Sequence, residues 1–202
     1  MTQRKLERED QLYEAASRLF REKGFHNTSM RDLGEALGVN GSALYYYVKS
    51  KDELLFRILE RGGRLLGSQV DELHTADLSP RDKLHRAFEN HALTVMENQD
   101  LLSVYLQEYR KLPLEKRQQM WAVRKRFERG LIRILEDGIK SGDFRPVNAK
   151  VAIAGLLSML DSTHQWFYRH GELSAREVAA IMADLAVHAV EASPGSVSPG
   201  GR

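Results

Sequence analysis

Between Thr28 and Lys51 the chain reads TSMRDLGEALGVNGSALYYYVKSK, and this stretch limits the fold more than any other. Ser29 is followed three residues later by Asp32, a reciprocal capping pair that opens a helix. Leu33, Ala36 and Leu37 give that helix an apolar face, and Gly38 ends it. Asn40 then caps a second short helix, Gly41 to Val48, with Leu44 and Val48 facing inward at helical spacing. Val39 is placed to plug the core beneath the turn. Two short helices around a tight glycine turn are the build of a helix-turn-helix.

The remaining chain keeps the helical period. Leu12, Ala15, Ala16, Leu19 and Phe20 form one stripe of a helix that Gly24 stops. Ser50 and Glu53 open a long helix running through Leu54, Leu55, Ile58 and Leu59 towards Leu73. Ser79-Pro80 with Asp82 starts another, to about Asn98, and Asp100 opens one that ends before Pro113. Pro113 to Gly142 is one amphipathic pattern. Asn148 caps an apolar helix continuing to about His170, and Ser174 with Glu177 starts the last, to about Ala192. No strand alternation or internal repeat interrupts this. The expectation is all-α, about nine helices, with a three-helix helix-turn-helix domain over 1–50 and a larger helical domain over 51–192. The Ser/Pro/Gly tail, 193–202, has nothing to bury and is expected to be disordered.

Composition narrows the class. With 202 residues, 42% of them hydrophobic, the chain can bury a sizeable core. No run of about 18 apolar residues predicts a membrane span, and the start, MTQRKLERED, lacks the apolar stretch of a secretory signal. Zero cysteines exclude a disulfide framework and thiolate metal sites, which points to the cytoplasm. A net charge of +2 is too small to announce a nucleic-acid partner, so any basic footprint must be local. The seven histidines show no H-E-x-x-H, and no G-x-S-x-G, P-loop or Rossmann fingerprint appears. Neither a metal site, an organic cofactor nor catalysis is therefore expected.

The helix-turn-helix carries chemistry suited to DNA. Ser42, Ala43, Tyr45, Tyr46 and Tyr47 remain for its surface once Leu44 and Val48 turn inward. Tyrosine hydroxyls bond phosphate oxygens, and ring edges pack on sugars and thymine methyls. Lys51, in the first turn of the next helix, is placed to meet a phosphate. Singly these features are ordinary, since tyrosine runs are usually core aromatics and Asn-Gly is usually just a turn. Their joint order is specific. AASRLFREKGF, TSMRDLGEALGV and GSALYYYVKSKDELL, spanning Leu12 to Leu55, resemble the DNA-binding domain of the TetR family of bacterial transcriptional regulators. The resemblance implies that Thr28 and Arg31 touch DNA from the first of the two helices, Arg31 reaching a guanine. Gly34 departs from the alanine usual in the family, with a small loss of helix propensity expected and no change of role. Arg4, Lys5 and Arg8 either add phosphate contacts or form a solvated helix start.

The same resemblance implies that the second half binds a small molecule and forms a homodimer through the last two helices. Ala149, Ala152, Ile153, Leu156, Leu157 and Leu160, with Val178, Ile181, Met182, Leu185, Val187 and Val190, are the nominated interface. Phe88, His91, Met96, Tyr105, Tyr109, Trp121, Arg124, Phe127, Met159, Trp166 and Phe167 combine aromatic bulk with polar tips and are nominated to line an effector pocket. Trp121, Arg124 and Glu128 recur along one face, and Arg124 among aromatics could hold a carboxylate or phosphate. The run from GIKSGDFRP through QWFYRHGELSAREV is similar to regulators that respond to acyl-CoA thioesters. The expected function is a repressor that binds an inverted-repeat operator as a homodimer and is released by a small hydrophobic or acyl-CoA effector. The alternative is a helical small-molecule-binding module without specific DNA binding.

Overall fold

The computed structural model describes residues 3–67 and 71–192. They form ten α-helices and no strand: α1 (Gln3–Lys23), α2 (Met30–Ala36), α3 (Lys51–Gly67), α4 (Asp71–Thr75), α5 (Pro80–Glu97), α6 (Gln99–Glu108), α7 (Leu114–Ser141), α8 (Ala149–Asp161), α9 (Thr163–Trp166) and α10 (Ala175–His188). Short 3-10 helices occupy Gly41–Tyr46 and Tyr109–Lys111. The expected disordered tail lies outside the described residues.

Two compact units emerge, Met1–Leu65 with Asn98–Ala122, and Leu66–Glu97 with Val123–Arg202. The expected seam near Ser50 is not where contacts thin out, because α3 packs into the first unit. Its Leu54, Leu55, Ile58 and Leu59 are buried with Leu12, Ala16, Leu19 and Phe20 of α1. Polar ties reinforce this: Arg57 donates to the Tyr13 hydroxyl at 3.3 Å and to Glu53 at 2.6 Å, and Arg61 pairs with Asp10 at 2.5 Å. In α6, Tyr105 packs flat against Gly62 and Gly63, where a Cβ on Gly62 would lie 2.9 Å from the Tyr105 Cβ.

In the second unit α5 packs along α10 and against α8, around a core that includes Leu84, Phe88, Leu131, Leu160 and Ala183. Shortening one such side chain, Leu131→Ala for example, costs roughly 2–5 kcal/mol. The predicted helix from Asn148 to His170 breaks into α8 and α9. The reason is local competition for the backbone. Ser162 and Thr163 hydroxyls donate to the Met159 and Leu160 carbonyls, each at 2.7 Å, and His164 Nδ1 meets the Asp161 carbonyl at 2.6 Å. Most of the nominated dimer face is also core. Ala149, Ile153, Leu156, Leu157, Leu160, Val178, Met182, Val187 and Val190 are buried within the unit and Ala152 partly so, whereas Ile181 and Leu185 stay exposed. The outward face of α8 is a different one, Val151, Ala154, Gly155 and Ser158, with Val151 69% exposed.

Candidate nucleic-acid interface

Helix α2 starts on the expected capping box. Ser29 Oγ accepts from the Asp32 N–H at 3.1 Å, and Asp32 accepts the Ser29 N–H at 2.7 Å as well as its hydroxyl. The Ser29 side-chain bond, then its backbone bond, hold the Asp32 carboxyl at about 2, below the ordinary 3.8. Leu33 is fully buried, but Ala36 is exposed and Leu37 half-buried, so the buried face of α2 is narrower than its pattern implied.

What replaces that face is backbone. A Cβ on Gly34 would lie 2.6 Å from the Gly41 nitrogen and 2.7 Å from the Val39 oxygen, and one on Gly41 would lie 2.8 Å from the Met30 oxygen. Cβ atoms essentially never approach backbone so closely, so a side chain at either position requires the backbone to shift. Gly34 is thus not a mere propensity loss: it lets α2 touch the next element backbone to backbone. Gly38 turns the chain between them with φ of +66°, a conformation that costs other residues dearly.

The element that follows, Gly41–Tyr46, is a 3-10 helix capped by Asn40, whose Oδ1 accepts from the Ser42 N–H and hydroxyl at 3.0 Å each. In this geometry side chains three apart eclipse. Leu44 and Tyr47 form one row and turn inward, leaving Tyr47 half-buried. The rows Ser42–Tyr45 and Ala43–Tyr46 face out, with Tyr46 71% exposed and its ring edge-on to Tyr47 at 5.1 Å. Arg31 is 89% exposed and pairs with Glu35 at 2.9 Å. Such a surface pair is worth about 0.5 kcal/mol, so Arg31 exchanges it for another partner at little cost.

Two nominated contacts have other duties. Thr28 is 1% exposed, its hydroxyl donating to the Gly24 carbonyl at 2.9 Å, so its side chain closes the loop between α1 and α2 instead of facing DNA. The Lys51 ammonium donates to the carbonyls of Phe25 at 2.8 Å and Thr28 at 2.7 Å, reaches that of His26 at 3.4 Å, and stands 4.5 Å over the Phe25 ring. Its donors are spent on that loop, leaving none for a phosphate in this conformation.

In the second unit Phe88, His91, Met96, Phe127 and Phe167 are buried, Met159 and Arg124 are half-buried, and Trp166 is exposed. Tyr105 and Tyr109 belong to the other unit, stacked on each other at 5.3 Å, and the Trp121 side chain lies outside the described residues. Arg124 does not wait for an anion. Its Nε donates to Glu128 at 2.9 Å, and its terminal nitrogen lies 3.6 Å from Asp161. His91 Nε2 meets Asp161 at 2.8 Å while its ring stacks on Phe127 at 5.5 Å. Burial pushes the Asp161 carboxyl upward, but the His91 hydrogen bond and charge together with Arg124 outweigh it, leaving the group below its ordinary value. Asp161 is the residue of this cluster that the sequence reading missed. The available signal was a lone carboxylate ending the apolar run AKVAIAGLLSML.

A glycine-turned pair of short helices, braced by buried neighbours and presenting tyrosines and an arginine outward, defines a helix-turn-helix DNA-binding regulator. The family model for bacterial regulatory proteins of the tetR family matches residues 12–58, and that of the tetracyclin repressor-like C-terminal domain matches 77–190. The chain belongs to the TetR family. It is 31% identical over 155 residues to the HTH-type transcriptional regulator YfiR of Bacillus subtilis, covering 73% of each chain. It is similar in structure to the TetR family regulator PfmR of Thermus thermophilus, with 35% identity, a TM-score of 0.78, and coverage of 88% of this chain and 97% of that one. It is also similar to AibR in complex with isovaleryl coenzyme A and operator DNA, with 26% identity, a TM-score of 0.77, and 88% and 97% covered. Among the described residues no helix is long and apolar enough to cross a membrane.

Proposed function

We propose that this protein represses transcription by holding an inverted-repeat operator as a homodimer, and that a small hydrophobic or acyl-CoA effector releases it. The observation that carries the reading is the exposed surface of Arg31, Ser42, Ala43, Tyr45 and Tyr46, mounted on a backbone-to-backbone contact between two helices. Residues 1–50 form the reading head. Arg31 reads a base edge, the tyrosines including Tyr47 contact sugars, methyls and phosphates, and Thr28 and Lys51 hold the frame. Two heads then meet half-sites about one helical turn, roughly 34 Å, apart.

The unit of Leu66–Glu97 with Val123–Arg202 forms the responding half. Val151, Ala154 and Gly155 of α8 and Ile181 and Leu185 of α10 face outward and form the homodimer contact. The isovaleryl coenzyme A bound by AibR supports an acyl-CoA effector here. To reverse operator occupancy from 99:1 to 1:99, the effector must favour the released state by about 5.5 kcal/mol. The protein acts without catalysis, in the cytoplasm with the chromosome.

The test is a gel shift with DNA from upstream of the protein's own gene and its neighbours. Binding to one such fragment that weakens steeply with salt is the expected result. Arg31→Ala with Tyr46→Ala abolishes specific binding and leaves the dimer intact. Failure to bind any upstream fragment would sink the repressor reading.

A further inference from the structure

We propose that the His91–Asp161 pair makes the effector site selective for an uncharged hydroxyl on an apolar body, and excludes the corresponding free acid. The proposal rests on the effector-binding reading above and adds the chemistry that the site accepts. Three helices bring the charges together: His91 from α5, Arg124 and Glu128 from α7, Asp161 from α8. Two carboxylates share one guanidinium, with Arg124 2.9 Å from Glu128 and 3.6 Å from Asp161. An entering carboxylate finds no unspent cation in this set, and it meets Asp161 at a place where low polarity magnifies repulsion.

One polar atom is left over. His91 is 5% exposed, and its other ring nitrogen, Nδ1, is buried without a hydrogen-bond partner among the described residues. Buried polar atoms are almost always satisfied, and an orphan requires an explanation. With the ring proton donated to Asp161 through Nε2, Nδ1 presents a lone pair, and a ligand hydroxyl satisfies it without adding charge. The stacked Phe127, part of the same apolar core as Phe88 and Phe167, suits the apolar body. Asp161 thus acts as a positioning and excluding residue, and His91 as the ligand contact.

The test uses the full-length dimer and three ten-carbon probes, decanol, decanoate and decanoyl-CoA, with affinity measured by titration calorimetry and thermal shift. Decanol is expected to bind at least about tenfold more tightly than decanoate, and decanoyl-CoA tests the acyl-CoA reading separately. Asp161→Asn removes the excluding charge and keeps an acceptor for His91, so decanoate gains about tenfold while decanol stays within about threefold. His91→Phe lowers decanol affinity about tenfold, and His91→Gln, which keeps a hydrogen-bonding group, recovers part of it. Circular dichroism and light scattering check that each variant remains a folded dimer. Wild-type decanoate affinity equal to or above that of decanol overturns the proposal, as does an Asp161→Asn variant with the wild-type order. Binding of none of the three probes overturns the effector reading as well, which separates the two failures.

Discussion

At Gly34 two physical tendencies pull in opposite directions. Helix propensity alone makes Gly34→Ala stabilising by about 0.5–1 kcal/mol. The 2.6 Å approach of a Cβ to the Gly41 nitrogen opposes it, and because the obstacle is backbone it cannot swing aside. The steric cost, on the order of 1–3 kcal/mol, wins. Gly34→Ala is expected to lower the denaturation midpoint in urea and to weaken operator binding more than non-specific DNA binding. Lys51 makes a second sharp case. If it holds the 25–28 loop, Lys51→Met lowers Tm while the slope of log affinity against log salt stays unchanged. A phosphate contact would instead reduce that slope by about 1. Neither role was readable from the residues alone. Gly34 looked like a weak alanine, and Lys51 looked like a phosphate ligand, because both depend on neighbours that only folding supplies.

The elements themselves were largely legible, since their start signals are local. The capping boxes Ser29/Asp32 and Ser174/Glu177 and the Asn148 cap all form. At the start of α3 the Ser50 hydroxyl caps as expected, yet Glu53 accepts the N–H of Lys49, one residue before the expected Ser50 partner. These caps make helix starts sensitive to acid. Asp32 is lowered to about 2 from 3.8, chiefly by its Ser29 bonds, and Glu177 is lowered by its Ser174 bonds. A carboxyl with a depressed folded value stabilises above its unfolded value and loses that contribution as pH falls through the folded one. Helicity at α2 is therefore expected to fall between roughly pH 4 and pH 2, followed by far-UV circular dichroism, and Ser29→Ala removes the transition. Less legible was the inward face of α8. Its apolar residues run all around the helix, so periodicity could not choose a side. Nor could it join His91 to Asp161, 70 residues away.

For the whole molecule, the outward apolar residues set the assembly. Val151, Ile181 and Leu185 stay exposed in one chain, a cost that a second copy removes. Leu185→Glu is expected to convert the dimer to monomer in size-exclusion chromatography with light scattering. Operator affinity then falls by about a hundredfold or more, as one head loses the effective concentration supplied by the other. The secondary structure of the isolated chain is expected to persist, because Leu185 contributes little to the buried core.

The glycine-to-glycine contact also restricts how such a regulator diversifies. In this backbone neither Gly34 nor Gly41 accepts a side chain without a shift of the chain, since each meets backbone of the other's element. Ser42, Ala43, Tyr45 and Tyr46 stand on the open side, where replacement leaves the packing beneath untouched. Mutational drift is thereby channelled: the frame changes only together with a backbone shift, whereas the letters it presents are free to vary. A library randomised at those four positions is expected to yield folded proteins with new operator preferences, and one randomised at the two glycines a smaller and less stable folded fraction.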